Sequence, residues 1–319
     1  MMISKDIELA AEILKNEDII GFPTETVYGL AGNIYSEKAI NKIFRVKKRP
    51  LFNPLIVHIK NIEDLNKVAI EIPETAKVLA KIFWPGPLTL LLKKHPSIPE
   101  LITAGKQTVA VRIPNHPVAL SLLNKLNFPV AAPSANPSGS ISPTSAEHVD
   151  GYFGENLSLV LNGGDCKAGI ESTIIGFKDD KVIMYRLGAI SREEIEKIVG
   201  QVTLLNKNEN APEAPGMLSR HYAPKSTLYL TKNVSEYIDR FPNKRIGLLL
   251  FAQPEKDFGT ECQIILSPSG DLQEAASKLY ASLHELDKMQ IDIIIAERLP
   301  DNNLGSTIND RLERATKNI

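Results

Sequence analysis

Between Gly200 and Lys225 the hydrophobic patterning of the chain breaks down into Asn, Glu, Lys and Pro, and this break constrains the fold more than any other feature. Strand and helix periodicities alternate on both sides of it. A chain of 319 residues, 43% hydrophobic and 24% charged, is long enough for two cores rather than one. The pattern predicts an α/β sheet domain over 1–200, a linker over 201–225 and a smaller α/β domain over 226–319.

In the first stretch Ser4 is placed to cap a helix carrying Ile7, Ala10, Ala11 and Leu14, and Ile19 to Phe22 reads as a buried strand. Ser36 opens a second helix with Ile40, Ile43 and Phe44 at helical spacing, followed by a strand over 55–59. Further strands are expected over 88–92, 109–113, 130–132, 157–161, 172–177 and 182–185. Ser191-Arg192-Glu193-Glu194 has capping-box spacing, which starts a helix running through Val199. The second stretch predicts strands over 228–230, 246–251, 264–266 and 291–295, with helices around Tyr237, over 271–289 and at the C-terminus. No GxGxxG opens any of its helices, which argues against a dinucleotide role.

Charge is concentrated in one place. Arg45, Lys47, Lys48 and Arg49, followed by Pro50, stand out in a chain whose formal net charge is -1. Such a balance argues against coating nucleic acid by bulk electrostatics and leaves a local anion site open. Lys47 and Arg49 are two apart, so an extended segment, favoured before Pro50, points both side chains one way, onto phosphate oxygens. Cys166 and Cys262 form no CxxC spacing, the longest apolar run (246–252) is too short for a bilayer, and Met1 to Asp6 carries no signal-peptide core. A soluble, cytoplasmic protein without membrane contact is expected.

A Walker A loop, HExxH and GxSxG are all absent. Gly105-Lys106-Gln107-Thr108 matches only the end of a phosphate loop, with Glu100 and Gln107 at its first glycine and its hydroxyl positions. Side chains must then hold any phosphate. Ala131 to Gly139 is rich in small residues, which lets backbone amides, Ser134 and Asn136 approach a ligand, although the same residue types serve any turn. The linker places His221 and Tyr222 in a Pro-bounded segment, which a passive spacer does not require.

Taken in order, Pro23 to Leu30, Lys47 to Pro50, Trp84 to Thr89, Val111 to Pro114, Ser134 to Asn136, Gly169 to Thr173 and His221 to Pro224 resemble the motifs of the YrdC-like L-threonylcarbamoyladenylate synthases. The last motif and the second domain resemble the long form of that family. The resemblance implies a YrdC-like twisted mixed-sheet domain joined by a linker to a small Rossmann-like α/β domain. It also implies a nucleotidyltransferase that converts L-threonine, bicarbonate and ATP, with Mg²⁺ held through the ATP phosphates rather than by the protein, into threonylcarbamoyl-AMP and pyrophosphate. The product would serve a tRNA-modifying threonylcarbamoyltransferase machinery that makes N6-threonylcarbamoyladenosine at position 37 of tRNAs reading ANN codons, with weak tRNA contact.

Carried over position by position, the resemblance implies a threonine site of Thr26, His58, Arg112, Ala132 and Ser172. It implies an ATP site of Lys47, Arg49, Asn53, Thr108, Ser134, Asn136, Ser142, Arg186 and Tyr222, with Lys47 and Arg49 catalytic. Arg186-Leu187-Gly188 departs from the family's usual Arg-Pro-Gly, which leaves the backbone placement of Arg186 open. Two rivals predict other features: a hydrogenase-maturation carbamoyl module requires zinc-finger cysteines, and an RNA-binding module an aromatic-rich motif.

Overall fold

The computed structural model describes residues 2–179, 181–206, 212–217, 221–254, 258–260 and 262–316. Of the linker expected over 201–225, residues 207–211 and 218–220 lie outside the described residues. The chain opens with β1 (Met2–Ser4), α1 (Ile7–Lys15), β2 (Ile20–Phe22), β3 (Gly29–Asn33), α2 (Glu37–Lys47) and β4 (Ile56–His58). Helices α3 (Leu65–Val68) and α4 (Glu74–Phe83) lead to β5 (Leu88–Lys93), α5 (Glu100–Thr103), β6 (Thr108–Arg112), α6 (Pro117–Asn124) and β7 (Val130–Ala131). After α7 (Ala146–Phe153) come β8 (Leu159–Leu161), β9 (Thr173–Lys178), β10 (Lys181–Arg186), α8 (Arg192–Val199) and β11 (Val202–Leu204). The second stretch runs β12 (Thr227–Thr231), α9 (Val234–Asp239), β13 (Ile246–Leu250), β14 (Gln263–Ile265), α10 (Leu272–Lys288), β15 (Ile293–Glu297) and α11 (Asn303–Ala315).

Strands β1 to β11 form one mixed sheet in the order β1-β8-β2-β3-β7-β4-β6-β5-β9-β10-β11. Its register separates two faces. Val57, Leu90, Val109, Val111, Ile175 and Met184 enter a helix-covered core, while their neighbours Ile56, Leu91, Ala110, Ile174, Ile183 and Tyr185 face the other way, beneath Ala214 and Met217. His58, paired with Arg112 across β4 and β6, shares this second face with Ile56 and Ala110. At the end of β10 a bulge sets Arg186 opposite Ile174, two residues after Met184 pairs with Ile175, and so turns Arg186 onto the same face.

The second sheet is parallel throughout, in the order β12-β15-β13-β14. Helix α9 covers one face, with Val234 against Leu248, Leu250, Ile293 and Ile295. Helices α10 and α11 cover the other, and the same apolar cluster takes in Val27, Ile141 and Ile170 from the first domain and Tyr222 from the linker. This cluster, distinct from the cores of the large sheet, joins the two domains. Gly169, at φ +69°, permits the approach, since a Cβ there would meet the Ser277 carbonyl oxygen of α10 at 2.1 Å.

Two local expectations are corrected. Ser4 does not cap α1; it ends a strand pairing with β8, and Asp6 is the cap, accepting from the Leu9 amide at 3.0 Å. The aspartate wins because the edge strand claims Ser4 first. Lys47 and Arg49 do not lie on an extended segment either. Lys47 is the last residue of α2 and Lys48 adopts a left-handed cap at φ 52°, so the reversal at the helix end brings the two side chains inward together.

Candidate active site

On the second face of the large sheet, the segments 24–29, 132–134, 171–172, 186, 215–216 and 221–222 close around one cavity. Strand alternation supplies its floor: His58 and Arg112 stand side by side on β4 and β6, and Arg186 arrives by the bulge. Of the residues implied for threonine, Thr26, His58, Arg112, Ala132 and Ser172 all line it. Of those implied for ATP, Arg49, Ser134, Arg186 and Tyr222 do so.

The others stand behind or beyond the wall. Lys47 donates its ammonium to the carbonyls of Ser134 and Asn136, and so shapes the loop it was expected to share with a ligand. Asn53 is bound by Arg49, whose Nε donates to the Asn53 carbonyl at 3.1 Å and whose Nη2 donates to Asn53 Oδ1 at 2.8 Å and the Pro54 carbonyl at 2.7 Å. Asn136 Nδ2 donates to the carbonyls of Pro137 and Ser140. Ser142 donates to Glu171 Oε1 at 2.6 Å. Thr108 is not among the lining residues; it opens β6, and Arg112, which does line the cavity, closes that strand.

Electrostatically the cavity is cationic and its charged lining is buried. Burial depresses the Arg49 guanidinium, and Arg186 beside it adds to the shift, bringing it to about 9. Burial and then Arg49 likewise push the Lys47 ammonium well below its usual range. Arg49 and Lys47 are both buried. Crowded buried cations of this kind raise the affinity for an anion that neutralises them. His58 is held neutral, its pKa down to about 3 through burial and then Arg112, and its Nδ1 is buried without a partner among the described residues.

Arg112 is organised by three neighbours. Its Nε donates to the Gly86 carbonyl at 3.2 Å, Nη1 to Thr26 Oγ1 at 2.8 Å, and Nη2 is 2.6 Å from the Glu25 carboxylate. A guanidinium has five donors, so some remain for a substrate carboxylate. Ser172 Oγ bonds Thr89 Oγ1 at 2.7 Å and accepts from Arg186 Nη2 at 2.9 Å. Arg186 Nε donates to the Ser172 carbonyl at 2.9 Å, and Thr307 Oγ1 of α11 donates to the Gly188 carbonyl at 3.1 Å. Those contacts fix the Arg-Leu-Gly turn in the absence of the proline.

Glu171 was quoted in a motif but assigned no role. It is 5% exposed and lines the cavity, and its oxygens accept from Ser142, from Tyr280 Oη at 2.9 Å and from Arg311 Nε at 2.9 Å. Burial alone would raise its pKa, but Arg311, then Arg186 and the Ser142 bond, hold it down at about 2. Among the described residues Glu171 is the one carboxylate in the lining, and its oxygens are taken. Among the described residues no group of three or more His, Cys, Asp or Glu side chains suits a metal. A resident Mg²⁺ does not fit this wall.

The residues 12–188 match the family described as "Telomere recombination", and 190–316 match that described as "Threonylcarbamoyl-AMP synthase, C-terminal domain". The threonylcarbamoyl-AMP synthase of Pyrococcus abyssi is 39% identical, with 97% of this chain and 94% of the relative covered. The chain belongs to the threonylcarbamoyl-AMP synthase family. That of Bacillus subtilis is 38% identical, with 97% and 92% covered. The crystal structure titled as P. abyssi Sua5 complexed with L-threonine superposes with a TM-score of 0.91 at 37% identity, over 99% of this chain and 98% of that one. The chain is therefore a nucleotidyl-transfer enzyme that makes threonylcarbamoyl-AMP, built as a YrdC-like domain followed by a C-terminal domain. No helix among the described residues is long and apolar enough to cross a membrane.

Proposed function

We propose that this cavity condenses L-threonine, bicarbonate and ATP into threonylcarbamoyl-AMP and pyrophosphate, to supply a threonylcarbamoyltransferase acting on adenosine 37 of tRNAs that read ANN codons. The observation that carries the reading is that, among the described residues, the guanidinium groups of Arg49, Arg112 and Arg186 converge on one cavity whose one carboxylate is already neutralised. The relative solved with L-threonine supports an amino acid at that site.

In this reading Arg112 takes the threonine carboxylate through its free donors, and Thr26 and Ser172 border the side chain. The neutral threonine amine attacks bicarbonate, which loses water and leaves a carbamate. A carbamate oxygen then attacks the α-phosphorus of ATP, the bond to the β-phosphate oxygen breaks, and pyrophosphate departs. Two anions meet in that step, and Arg49 and Arg186, with Lys47 shaping the loop beneath, offset their repulsion. Mg²⁺ enters with the phosphates. The Tyr222 segment keeps water from the mixed anhydride.

Pyrophosphate release is the test. The purified chain with Mg-ATP should release it only when L-threonine and bicarbonate are both present; release with either alone refutes the reading.

A further inference from the structure

Helices α10 and α11 of the C-terminal domain reach the cavity through side chains that no motif contained. Arg311 is 1% exposed. Its Nε binds Glu171 Oε2 at 2.9 Å, its Nη2 donates to the Leu187 carbonyl beside Arg186, its Nη1 pairs with Asp310, and its guanidinium lies 4.8 Å from the centre of the Tyr222 ring. Tyr280 stacks on the Tyr222 ring, 5.7 Å centre to centre, and donates to Glu171. Tyr222 itself is 1% exposed and sits at φ +66°, a backbone region costly for an aromatic residue and held only where the surroundings dictate it.

One guanidinium therefore touches three parts of the wall: the carboxylate preceding Ser172, the turn that carries Arg186, and the ring contributed by the linker. We infer that Arg311, seconded by Tyr280, is the positioning residue through which the C-terminal domain assembles the active cavity, by fixing Glu171, the Arg186 turn and Tyr222 in one arrangement. Arg311 does not line the cavity and touches no reacting atom in this reading; it acts through residues that do. The inference rests on the adenylation reading for what the cavity does, and on geometry alone for what holds it.

Its distinguishing consequence lies in how Glu171 titrates. The charged or titratable groups facing Glu171 are Arg311 from α11, Tyr280 from α10, Arg186 from the end of β10, and Tyr222 and His221 from the linker. Without Arg311, burial outweighs the remaining partners, and the Glu171 pKa rises. Protonated Glu171 no longer accepts from both Ser142 and Tyr280, so the wall loosens as pH falls.

The test uses the full chain and follows threonine-dependent pyrophosphate release against pH. Arg311→Met should lower turnover roughly tenfold or more, as misplacement of a site wall does. It should also add an acid limb at least about two pH units above any Glu171 limb of the wild type. Arg311→Lys, which restores the charge but not the planar stack, should move that limb back down. Arg311→Met combined with Glu171→Gln should lose the limb altogether and guards against a variant that merely unfolds. A limb unmoved in Arg311→Met, or still present with Glu171→Gln, overturns the inference. Hydrogen exchange at the Ala223 amide, which donates to the Gly139 carbonyl at 2.8 Å, reads the same hold without turnover. It should quicken in Arg311→Met, and unchanged exchange overturns the inference even if the wild type proves to have another activity. Absence of threonine-dependent release in the wild type, with quickened exchange in the variant, refutes only the adenylation reading.

Discussion

At the residue scale, burial changes what each cation can tell. Arg49 binds Asn53 and Pro54 and is itself buried, so Arg49→Ala removes both the proposed phosphate contact and the hold on the loop after α2. We predict loss of pyrophosphate release by roughly a hundredfold or more. Hydrogen bonds to charged groups contribute about 1.5–3 kcal/mol, so thermal unfolding should also come measurably earlier. Near-normal turnover in this variant would remove Arg49 from the phosphate site. Arg112 poses the same difficulty more sharply. Arg112→Ala strands the buried Glu25, at a cost of about 3–5 kcal/mol. Arg112→Lys is the cleaner probe: it keeps the charge but not the fork, and should raise the threonine KM about tenfold with little change in kcat. An unchanged KM would show that the substrate carboxylate binds elsewhere.

At the scale of elements, the linker strap explains both what the sequence revealed and what it hid. The cavity offers only about 50 Å³, room for a few waters and not for a nucleotide, so we predict that Pro215, Gly216, His221 and Tyr222 withdraw before ATP enters. Tyr222→Ala should therefore release pyrophosphate poorly, or leak hydrolysed intermediate, without unfolding either sheet, as read by turnover beside circular dichroism. Wild-type product yield would return the strap to a spacer. Truncation after Gly200 is more drastic than loss of a lid. It uncovers Val27, Ile141 and Ile170 and leaves Glu171 without Arg311, so a lower melting temperature should accompany lost activity. The segments 23–30, 47–50, 134–136 and 221–224 were legible because each is a short run whose residue types state their chemistry. Glu171, Tyr280 and Arg311 were not, because Glu171 and Arg311 lie 140 residues apart and a helix-borne Arg reads as solvated surface until the second domain is docked. Lys47 and Arg49 were found for the wrong geometric reason, since only the left-handed Lys48 shows that a helix end aims them.

For the whole molecule, the fold class followed from alternation, whereas the edge strands Met2–Ser4 and Val202–Leu204 escaped notice because they are mostly exposed, and Gly29–Asn33 because its glycines hide a buried run. The apolar cluster shared between the two domains predicts one cooperative unfolding transition rather than two. Its pH dependence has a defined sign. His58, His221 and His284 are each lowered to about 3, burial being the first cause in every case. With folded pKa values below the unfolded 6.5, their stabilising contribution is complete above about pH 6.5 and is lost as pH falls towards 3. Each contributes a loss of roughly 1.4 kcal/mol per pH unit within that window. Scanning calorimetry should show a flat melting temperature from pH 7 to 8 and a steep fall below 6.5; a flat profile down to pH 5 would contradict the buried, neutral assignment.

The most direct measurement of the central claim is the mass of the adenylate itself. Incubated with L-threonine, Mg-ATP and ¹³C-bicarbonate and quenched rapidly, the protein should yield one species that contains threonine, AMP and the labelled carbon together. A threonine adenylate lacking that carbon, or AMP and pyrophosphate formed without threonine, would contradict the account.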